Sequence, residues 1–270
     1  PFTPNEGQEE LLHLLTQFIL SKNEHKAFVL RGYAGTGKTS IMAALVKALH
    51  ELKQPVVLLA PTGRAAKVLS RYAHAPAYTI HKYIYRQDKL GAEAFSLSYN
   101  PHKDTIFIVD EASMISGERD NATFGTGVLL NDLIKYVHAG ERCSLLLLGD
   151  DAQLPPVFQD ISPALDVKKL ESMGLDVTFH TLKEVLRQSE ESGILVNATH
   201  IRKNIETPQE LKLECFSDVK RVDGTNFVEC IENSFSTVGM EETLVVTRSN
   251  KMASLYANGI RNRILSKENS

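Results

Sequence analysis

The amino-acid sequence predicts an α/β fold built on a mostly parallel sheet. Four short runs, at positions 27–30, 55–60, 105–109 and 144–148, consist almost entirely of apolar residues. Polar loops and segments with apolar residues at helical spacing separate these runs. Strands that are apolar on both faces and alternate with helices are typical of parallel sheets covered on both sides. The composition, 43% hydrophobic and 23% charged residues, is that of an ordinary folded domain.

The same pattern divides the chain into two domains. Strands and helices alternate as far as about residue 180, with helices predicted at 40–49 and 64–72. After Leu182 the alternation becomes sparse, and one strand is predicted, at 242–247. Since sheets usually contain several strands, one strand does not form an independent sheet. We therefore expect a complete domain over 1–180 and the beginning of a second over 181–270, with helices at 193–205, 226–233 and 250–265.

Charge, cysteine content and hydropathy restrict the class of protein. The net charge of −3 excludes a general polyanion binder, so any nucleic-acid site must be a local basic patch. The three cysteines, Cys143, Cys215 and Cys230, lack metal-ligand or disulfide spacing, which favours a reducing, cytoplasmic setting. No apolar run approaches the about 20 residues that cross a bilayer, and the N-terminus does not resemble a signal peptide, so no membrane association is expected.

A glycine-rich loop after the first apolar run matches the pattern G-x-x-x-x-G-K-[ST]. In such a loop, backbone N–H groups face phosphate oxygens, and the following helix adds its positive N-terminus. Lys38 is expected to reach the β- and γ-phosphates of ATP, and the Thr39 hydroxyl to bind Mg²⁺. A chance glycine-rich turn is the alternative, but it would not need the flanking strand and helix. The remaining nucleotide-binding residues of this predicted P-loop are Gly32, Gly35, Thr36 and Gly37.

Two further polar segments follow apolar runs directly. Asp110 and Glu111 come after the run at 105–109, and Gln153 lies just beyond the run at 144–148. Ligands bind at the carboxyl ends of the strands in open α/β sheets. We expect Asp110 to hold the Mg²⁺ and Glu111 to orient and deprotonate the attacking water. Gln153 would report whether the γ-phosphate is present. In isolation, each segment could be an ordinary acidic strand end or turn.

The motifs occur together in an order that resembles superfamily 1B DNA helicases of the RecD/Dda-like branch. The resemblance implies ATP-driven movement on single-stranded DNA in the 5′ to 3′ direction, by two RecA-like domains of which this chain would hold the first. It also implies that Gln8 contacts the adenine and that Arg187 reaches the γ-phosphate from the second motor domain. The matching segments are 3–8, 32–39, 60–66, 78–82, 109–115, 148–156 and 182–188, with a fainter match at 246–250.

The segment 61–90 is the expected path of the DNA. It contains six basic residues and one acidic residue, together with the tyrosines Tyr72, Tyr78, Tyr83 and Tyr85. Positive charges that follow phosphates and aromatic rings that stack on bases are typical of single-strand binding. A solvated helix face with tyrosines anchoring a loop is the alternative. The segments 60–66 and 78–82 resemble motifs Ia and Ib of the family, which contact DNA. The resemblance therefore implies DNA binding by Pro61, Thr62, Arg64, Thr79 and His81.

Two observations leave other functions open. Nothing after Asn250 resembles the last two helicase motifs, so we expect the chain to be an incomplete part of a motor. The negative net charge is compatible with a P-loop ATPase that remodels a protein complex without nucleic acid, or with a nucleotide-binding regulatory module. The resemblance to the exodeoxyribonuclease V alpha subunit implies DNA repair and recombination, with nuclease or recombination subunits as partners.

Overall fold

The structure, a computed structural model, describes residues 4–33, 35–87, 95–119, 124–157, 159, 161–184, 192–204 and 212–265. The chain forms two compact units, Pro1–Gln188 and Ser189–Ser270. Within the described ranges, no helix has the length and apolar character needed to cross a membrane. That the second unit begins another motor domain stays a prediction.

The first unit is built on a parallel sheet, which confirms the predicted fold class. Its six strands lie in the order β3-β2-β6-β7-β1-β8, and every neighbouring pair is parallel. A separate antiparallel hairpin consists of β4 and β5. The strands are β1 (Lys26–Gly32), β2 (Val56–Ala60), β3 (Ala77–Thr79), β4 (Tyr85–Gln87), β5 (Phe95–Leu97), β6 (Ile106–Val109), β7 (Ser144–Gly149) and β8 (Asp176–Leu182).

Helices cover both faces of the sheet, because successive residues of each strand point to opposite faces. One face includes Val29, Phe107 and Leu147. It packs against helix Ile80–Ile84, which follows β3, and helix Leu129–His138, which precedes β7. The other, which includes Phe28 and Ile108, packs against the first three helices. The helices of this unit are α1 (Glu6–Leu20), α2 (Lys38–Glu51), α3 (Gly63–Ala73), α4 (Ile80–Ile84), α5 (Leu129–His138) and α6 (Val167–Ser172). The helices predicted at 40–49 and 64–72 are confirmed as α2 and α3.

The second unit contains the three predicted helices, α7 (Gly193–Lys203), α8 (Phe227–Thr237) and α9 (Asn250–Arg263). The strand predicted at 242–247 is wrong, since these residues form a turn and irregular chain. Leu244 and Val246 are 65% and 82% exposed, so these two apolar side chains lie largely in solvent rather than in a sheet. The Thr243 hydroxyl instead makes local hydrogen bonds, to Ser234 Oγ and to the carbonyl of Gly239, both over 2.9 Å.

Candidate functional site

The P-loop connects β1 to α2, where the sequence predicted it. β1 ends at Gly32, and α2 begins at Lys38. Gly35 and Gly37 have φ angles of 84° and 88°, a region that side chains disfavour. The Thr36 hydroxyl donates to the carbonyl of Tyr33 over 2.8 Å, which closes the loop on itself. The loop therefore places the N-terminus of α2 at the carboxyl edge of the sheet.

Lys38 is a positively charged residue that lies among several carboxylates at this edge. Its ammonium donates to the carbonyl of Gly32 and, over 3.0 Å, to that of Tyr33. Burial lowers the pKa of Lys38, and attraction to nearby carboxylates opposes this effect. In decreasing order of effect, these are Asp150, Glu111, Asp110 and Asp151. The ends of β1, β6 and β7 thus bring one lysine and four acidic side chains close enough for their charges to interact.

Asp110 and Glu111 follow the end of β6, where the chain turns sharply. Glu111 has a left-handed backbone, with φ at 54°. Its N–H donates to Oδ1 of Asp110 over 2.9 Å. Burial raises the pKa of the Asp110 carboxyl, while the hydrogen bond from Glu111 and the charge of Lys38 act in the opposite direction. For Glu111, burial and then the Asp110 charge raise the pKa, Lys38 lowers it, and Asp150 raises it further.

The predicted magnesium ligands fit that ion chemically. Thr39 lies exposed in the first turn of α2, and Asp110 lies at the end of β6. Mg²⁺ prefers hydroxyl and carboxylate oxygens and usually keeps several waters. The raised pKa of Asp110 means that its charge is poorly compensated in the protein alone. A bound cation would supply the missing compensation.

The segment after β7 contributes a carboxylate and the predicted γ-phosphate reporter. Asp150 is 4% exposed, and its Oδ1 accepts from the N–H of Ala152 over 2.9 Å. Gln153 donates from its backbone N–H to the carbonyl of Asp150 over 3.3 Å, and its side chain is exposed. Gln153, Asp150 and Arg31 line a cavity of about 370 Å³. The Gln153 side chain therefore faces solvent beside β1, the strand that leads into the P-loop.

Arg31 was not predicted from the sequence. It is the last residue before Gly32, and its Nε donates to the carbonyl of Leu165 over 3.0 Å. The side chain of Leu165 in turn lies against Gly149, at the end of β7. Arg31 and Gly149 thus hold the chain near 165 against two strand ends. Its signal in the sequence was a basic residue between the apolar run at 27–30 and the P-loop.

Gln8 lies against the P-loop. Its side chain is 1% exposed, and its Nε2 donates to the carbonyl of Thr36 over 3.5 Å. Its Oε1 accepts from the N–H of Asn5 over 3.2 Å, as part of the capping box of α1. Gln8 is therefore close to the nucleotide loop, whereas its contact with adenine stays a prediction. Arg187 and Ala34 lie outside the described residues.

The residues predicted to bind DNA lie where β2 and β3 end, at the same edge of the sheet. Pro61 and Thr62 follow β2, and the Thr62 hydroxyl accepts from the N–H of Ala65 over 3.2 Å, which caps α3. Thr79 ends β3 and caps α4, accepting from the N–H of Lys82 over 3.3 Å. Since β2 lies between β3 and β6, Thr62 follows the strand next to the acidic pair, and Thr79 ends the strand beyond it.

Arg64 and His81 have different surroundings. Arg64 is exposed in the first turn of α3. The His81 ring is partly buried, with its centroid 5.2 Å from that of Phe124 and 5.8 Å from that of Tyr85. Arg64 is therefore open to a phosphate, whereas His81 also supports packing between α4 and the chain at 124.

Two of the four tyrosines contribute to packing, which favours the loop-anchoring alternative for Tyr83 and Tyr85. Tyr85 is 7% exposed, and its hydroxyl donates to Oδ2 of Asp132 over 2.7 Å. The Tyr83 hydroxyl lies 2.8 Å from Nε2 of His102. Burial raises the pKa of Tyr83 to about 12 and also raises that of Tyr85. The tyrosines open to solvent are Tyr72 and Tyr78, which are 57% and 39% exposed.

Asp132, in α5, anchors the turn at 124–127 that precedes this helix. Its Oδ2 accepts from the N–H of Thr126, and its Oδ1 from the Thr126 hydroxyl, each over 2.9 Å. A Cβ at Gly125 would lie 2.2 Å from Oδ2 of Asp132. The turn therefore needs glycine there to reach the carboxylate. No sequence pattern indicated this contact, because an aspartate inside a helix normally faces water.

The fold and the site together define a P-loop nucleoside-triphosphate-binding domain. Residues 4–226 match the AAA domain family, and the chain belongs to that family. The predicted resemblance to the motor domain of superfamily 1B helicases is confirmed.

The chain is similar to two curated helicases. It is 34% identical over 134 residues to the ATP-dependent RecD2 DNA helicase of Deinococcus radiodurans, covering 49% of this chain and 16% of the relative. It is 29% identical over 161 residues to the ATP-dependent DNA helicase Dda of Enterobacteria phage T4, covering 56% and 33%. The chain thus spans no more than a third of the length of these relatives.

A solved structure shares the fold. The Pif1 helicase from Candida albicans superposes with a TM-score of 0.53 at 17% identity, over 98% of this chain and 55% of that one.

Proposed function

We propose that this chain is the ATP-hydrolysing part of a motor that moves along single-stranded DNA. The arrangement of one sheet edge carries the proposal. The ends of β1, β6 and β7 gather the P-loop and four acidic residues around Lys38. The ends of the adjoining strands, β2 and β3, present Thr62 and Thr79. The residues that hydrolyse ATP and the residues that contact DNA would therefore lie at the same edge of one sheet.

Lys38 and the residues around it have different roles in ATP hydrolysis. Lys38 binds the β- and γ-phosphates, and the loop from Gly32 to Gly37 surrounds them with backbone N–H groups. Thr39 and Asp110 would hold Mg²⁺, which neutralises charge on the phosphates when it is bound. Glu111 accepts the proton of the attacking water, because its raised pKa brings it closer to the proton affinity that a general base needs at neutral pH.

The residues outside this group would couple hydrolysis to movement. Gln153 is exposed beside the P-loop strand, where it can respond to the γ-phosphate. By resemblance, Arg187 completes the site from a second RecA-like domain, and movement is 5′ to 3′. Closure of two such domains on ATP and their release after hydrolysis would advance the DNA, with Gln8 selecting the adenine.

DNA would lie across the ends of β2 and β3. The N-terminus of α3, where Gly63 and Arg64 are exposed, suits a phosphate together with the Arg64 guanidinium. Of the tyrosines, Tyr72 and Tyr78 have free surface for a base. His81 would act partly by holding α4 in place against Phe124.

Binding of a fluorescent single-stranded oligonucleotide by the full-length protein tests the DNA site. Wild-type affinity should fall steeply with salt, and Arg64→Ala should weaken binding and reduce the salt slope by about one unit. Lys22→Ala removes a cation from the opposite edge of the sheet, before β1, and should leave binding unchanged.

Two experimental results would favour a different function for this chain. ATP hydrolysis that needs no DNA, together with the absence of salt-sensitive DNA binding, would favour an ATPase that remodels a protein complex. Nucleotide binding without turnover in the full-length protein would favour a regulatory module. Nuclease or recombination subunits as partners, a role in DNA repair and a cytoplasmic location remain predictions, which co-purification and localisation of the tagged protein would test.

A further inference from the structure

Tyr78 presents an exposed aromatic ring beside the residues proposed to contact DNA. It lies in β3, immediately before Thr79, and is 39% exposed. Tyr78 pairs with Leu59 of β2, one position before the end of both strands. Within the sheet that the structure describes, β3 is the terminal strand on this side. The ring therefore lies at the margin of the sheet, close to the edge where Thr62 and Thr79 cap their helices.

A second tyrosine supports this ring from the side of the protein. The ring centroid of Tyr83 lies 5.4 Å from that of Tyr78, with the two planes inclined by 40°. The Tyr83 hydroxyl lies 2.8 Å from Nε2 of His102, and its ring packs edge to face against Phe107 and Tyr136. Burial raises the pKa of Tyr83 to about 12 and lowers that of His102, so both are uncharged at neutral pH. A neutral, well-packed aromatic cluster therefore supports Tyr78.

Exposed cations lie in the same segment as this ring. Arg64 is exposed in the first turn of α3, and Lys82 is exposed in α4, four positions after Tyr78. Cations attract the phosphates of single strands and duplexes alike. An aromatic ring instead stacks on a base that has a free face, which the bases inside a duplex lack. The cations and the ring would therefore contribute differently to binding.

We propose that Tyr78 stacks on a nucleobase and thereby makes the DNA site prefer single strands to duplexes. This inference rests on the proposed function, because it assigns a role within the proposed DNA site. Contact with Tyr83 restricts the Tyr78 ring before DNA binds, which reduces the conformational entropy lost on binding.

Three variants separate stacking from other effects of Tyr78. Tyr78→Ala removes the ring, whereas Tyr78→Phe keeps it and removes only the hydroxyl. Tyr99→Ala is the matched control, because Tyr99 is 77% exposed and lies near Lys103, before the start of β6, at the opposite edge of the sheet.

The experiment measures the Kd of the full-length protein for three fluorescent DNAs at several salt concentrations. These are a thymidine oligonucleotide, an abasic strand of the same length, and a duplex. Tyr78→Ala should weaken binding of the thymidine strand about five-fold or more. Its Kd for the abasic strand and for the duplex should stay within about two-fold of the wild-type value. The salt dependence should be unchanged, because stacking neutralises no phosphate.

Tyr78→Phe and Tyr99→Ala should bind all three DNAs as the wild-type protein does. Unchanged binding of the thymidine strand by Tyr78→Ala, or equal weakening for the thymidine and abasic strands, would overturn the stacking role. A loss in Tyr99→Ala as large as that in Tyr78→Ala would also overturn it.

The wild-type protein provides a test that does not depend on the folding of a variant. Salt-sensitive binding that fails to distinguish the thymidine strand from the abasic strand would overturn the role of Tyr78 and leave the proposed DNA site standing. Absence of salt-sensitive DNA binding would overturn the proposed function and this inference with it.

Discussion

Oδ1 of Asp110 accepts a hydrogen bond from the backbone N–H of Glu111 over 2.9 Å. This bond and the left-handed backbone of Glu111 hold the two carboxyl groups as neighbours at the end of β6. The bond favours the charged form of Asp110, and that charge raises the pKa of Glu111. One short turn therefore provides both a carboxylate for a cation and a stronger base beside it.

Glu111→Gln should abolish turnover without abolishing nucleotide binding. The amide keeps the size of the side chain but cannot accept the proton of water. Loss of a general base typically lowers the rate by about 10²–10⁴-fold. Single-turnover hydrolysis and titration with a fluorescent ATP analogue separate the two effects. Normal hydrolysis by this variant would mean that another group activates the water.

The pH dependence of turnover should show the raised pKa of Glu111. A base works only when it is deprotonated, so activity should fall as the pH decreases through that pKa. Since burial and the Asp110 charge raise the pKa from the ordinary value of 4.5, the fall should be centred above pH 4.5. The residual activity of Glu111→Gln should lack this acidic limb. An acidic limb that persists unchanged in the variant would assign it to another group.

Asp110→Asn should stabilise the protein in the absence of Mg²⁺ and nucleotide. The pKa of Asp110 is raised on folding, so its charged form costs stability above that pKa, and wild-type stability rises as the pH falls towards it. The amide oxygen can still accept from Glu111. A gain of about 1 kcal/mol would raise the Tm by roughly 2–4 °C at pH 7.

Asp104→Asn provides a control of opposite sign. The hydrogen bond from Arg142 lowers the pKa of Asp104, so its charge contributes favourably and the variant should not gain stability. Scanning calorimetry of both variants checks the pair. A lower Tm for Asp110→Asn would contradict the electrostatic description of the site.

Gly149→Ala should destabilise the protein through a clash at the end of β7. A Cβ there would lie 2.7 Å from Cδ1 of Leu165 and 3.0 Å from the backbone nitrogen of Ser113. Overpacking of this kind costs about 1–3 kcal/mol, measurable by urea unfolding. Gly63→Ala is the control, because a Cβ at Gly63 meets nothing within 4 Å at the start of α3. Equal effects of the two substitutions would show that the chain near 165 is not packed as described.

The parts of the site that follow one another along the chain could be predicted from the sequence. The P-loop and the Asp110–Glu111 pair each adjoin an apolar strand, and parallel strands bring their carboxyl ends to one edge. The hydrogen bond that the Asn5 side chain donates to Glu184 spans 179 positions, so no local pattern indicates it. For Tyr85, the basic neighbours were compatible with base stacking and with anchoring of a loop. The partner of its buried hydroxyl is Asp132, which is distant in sequence.

DNA-dependent ATP hydrolysis is tested most directly by the turnover rate of the full-length protein, measured with and without a single-stranded oligonucleotide. DNA should stimulate turnover many-fold, rising salt should weaken the stimulation, and Lys38→Ala should abolish turnover. Turnover that is indifferent to DNA, or that persists in Lys38→Ala, would contradict the proposed function.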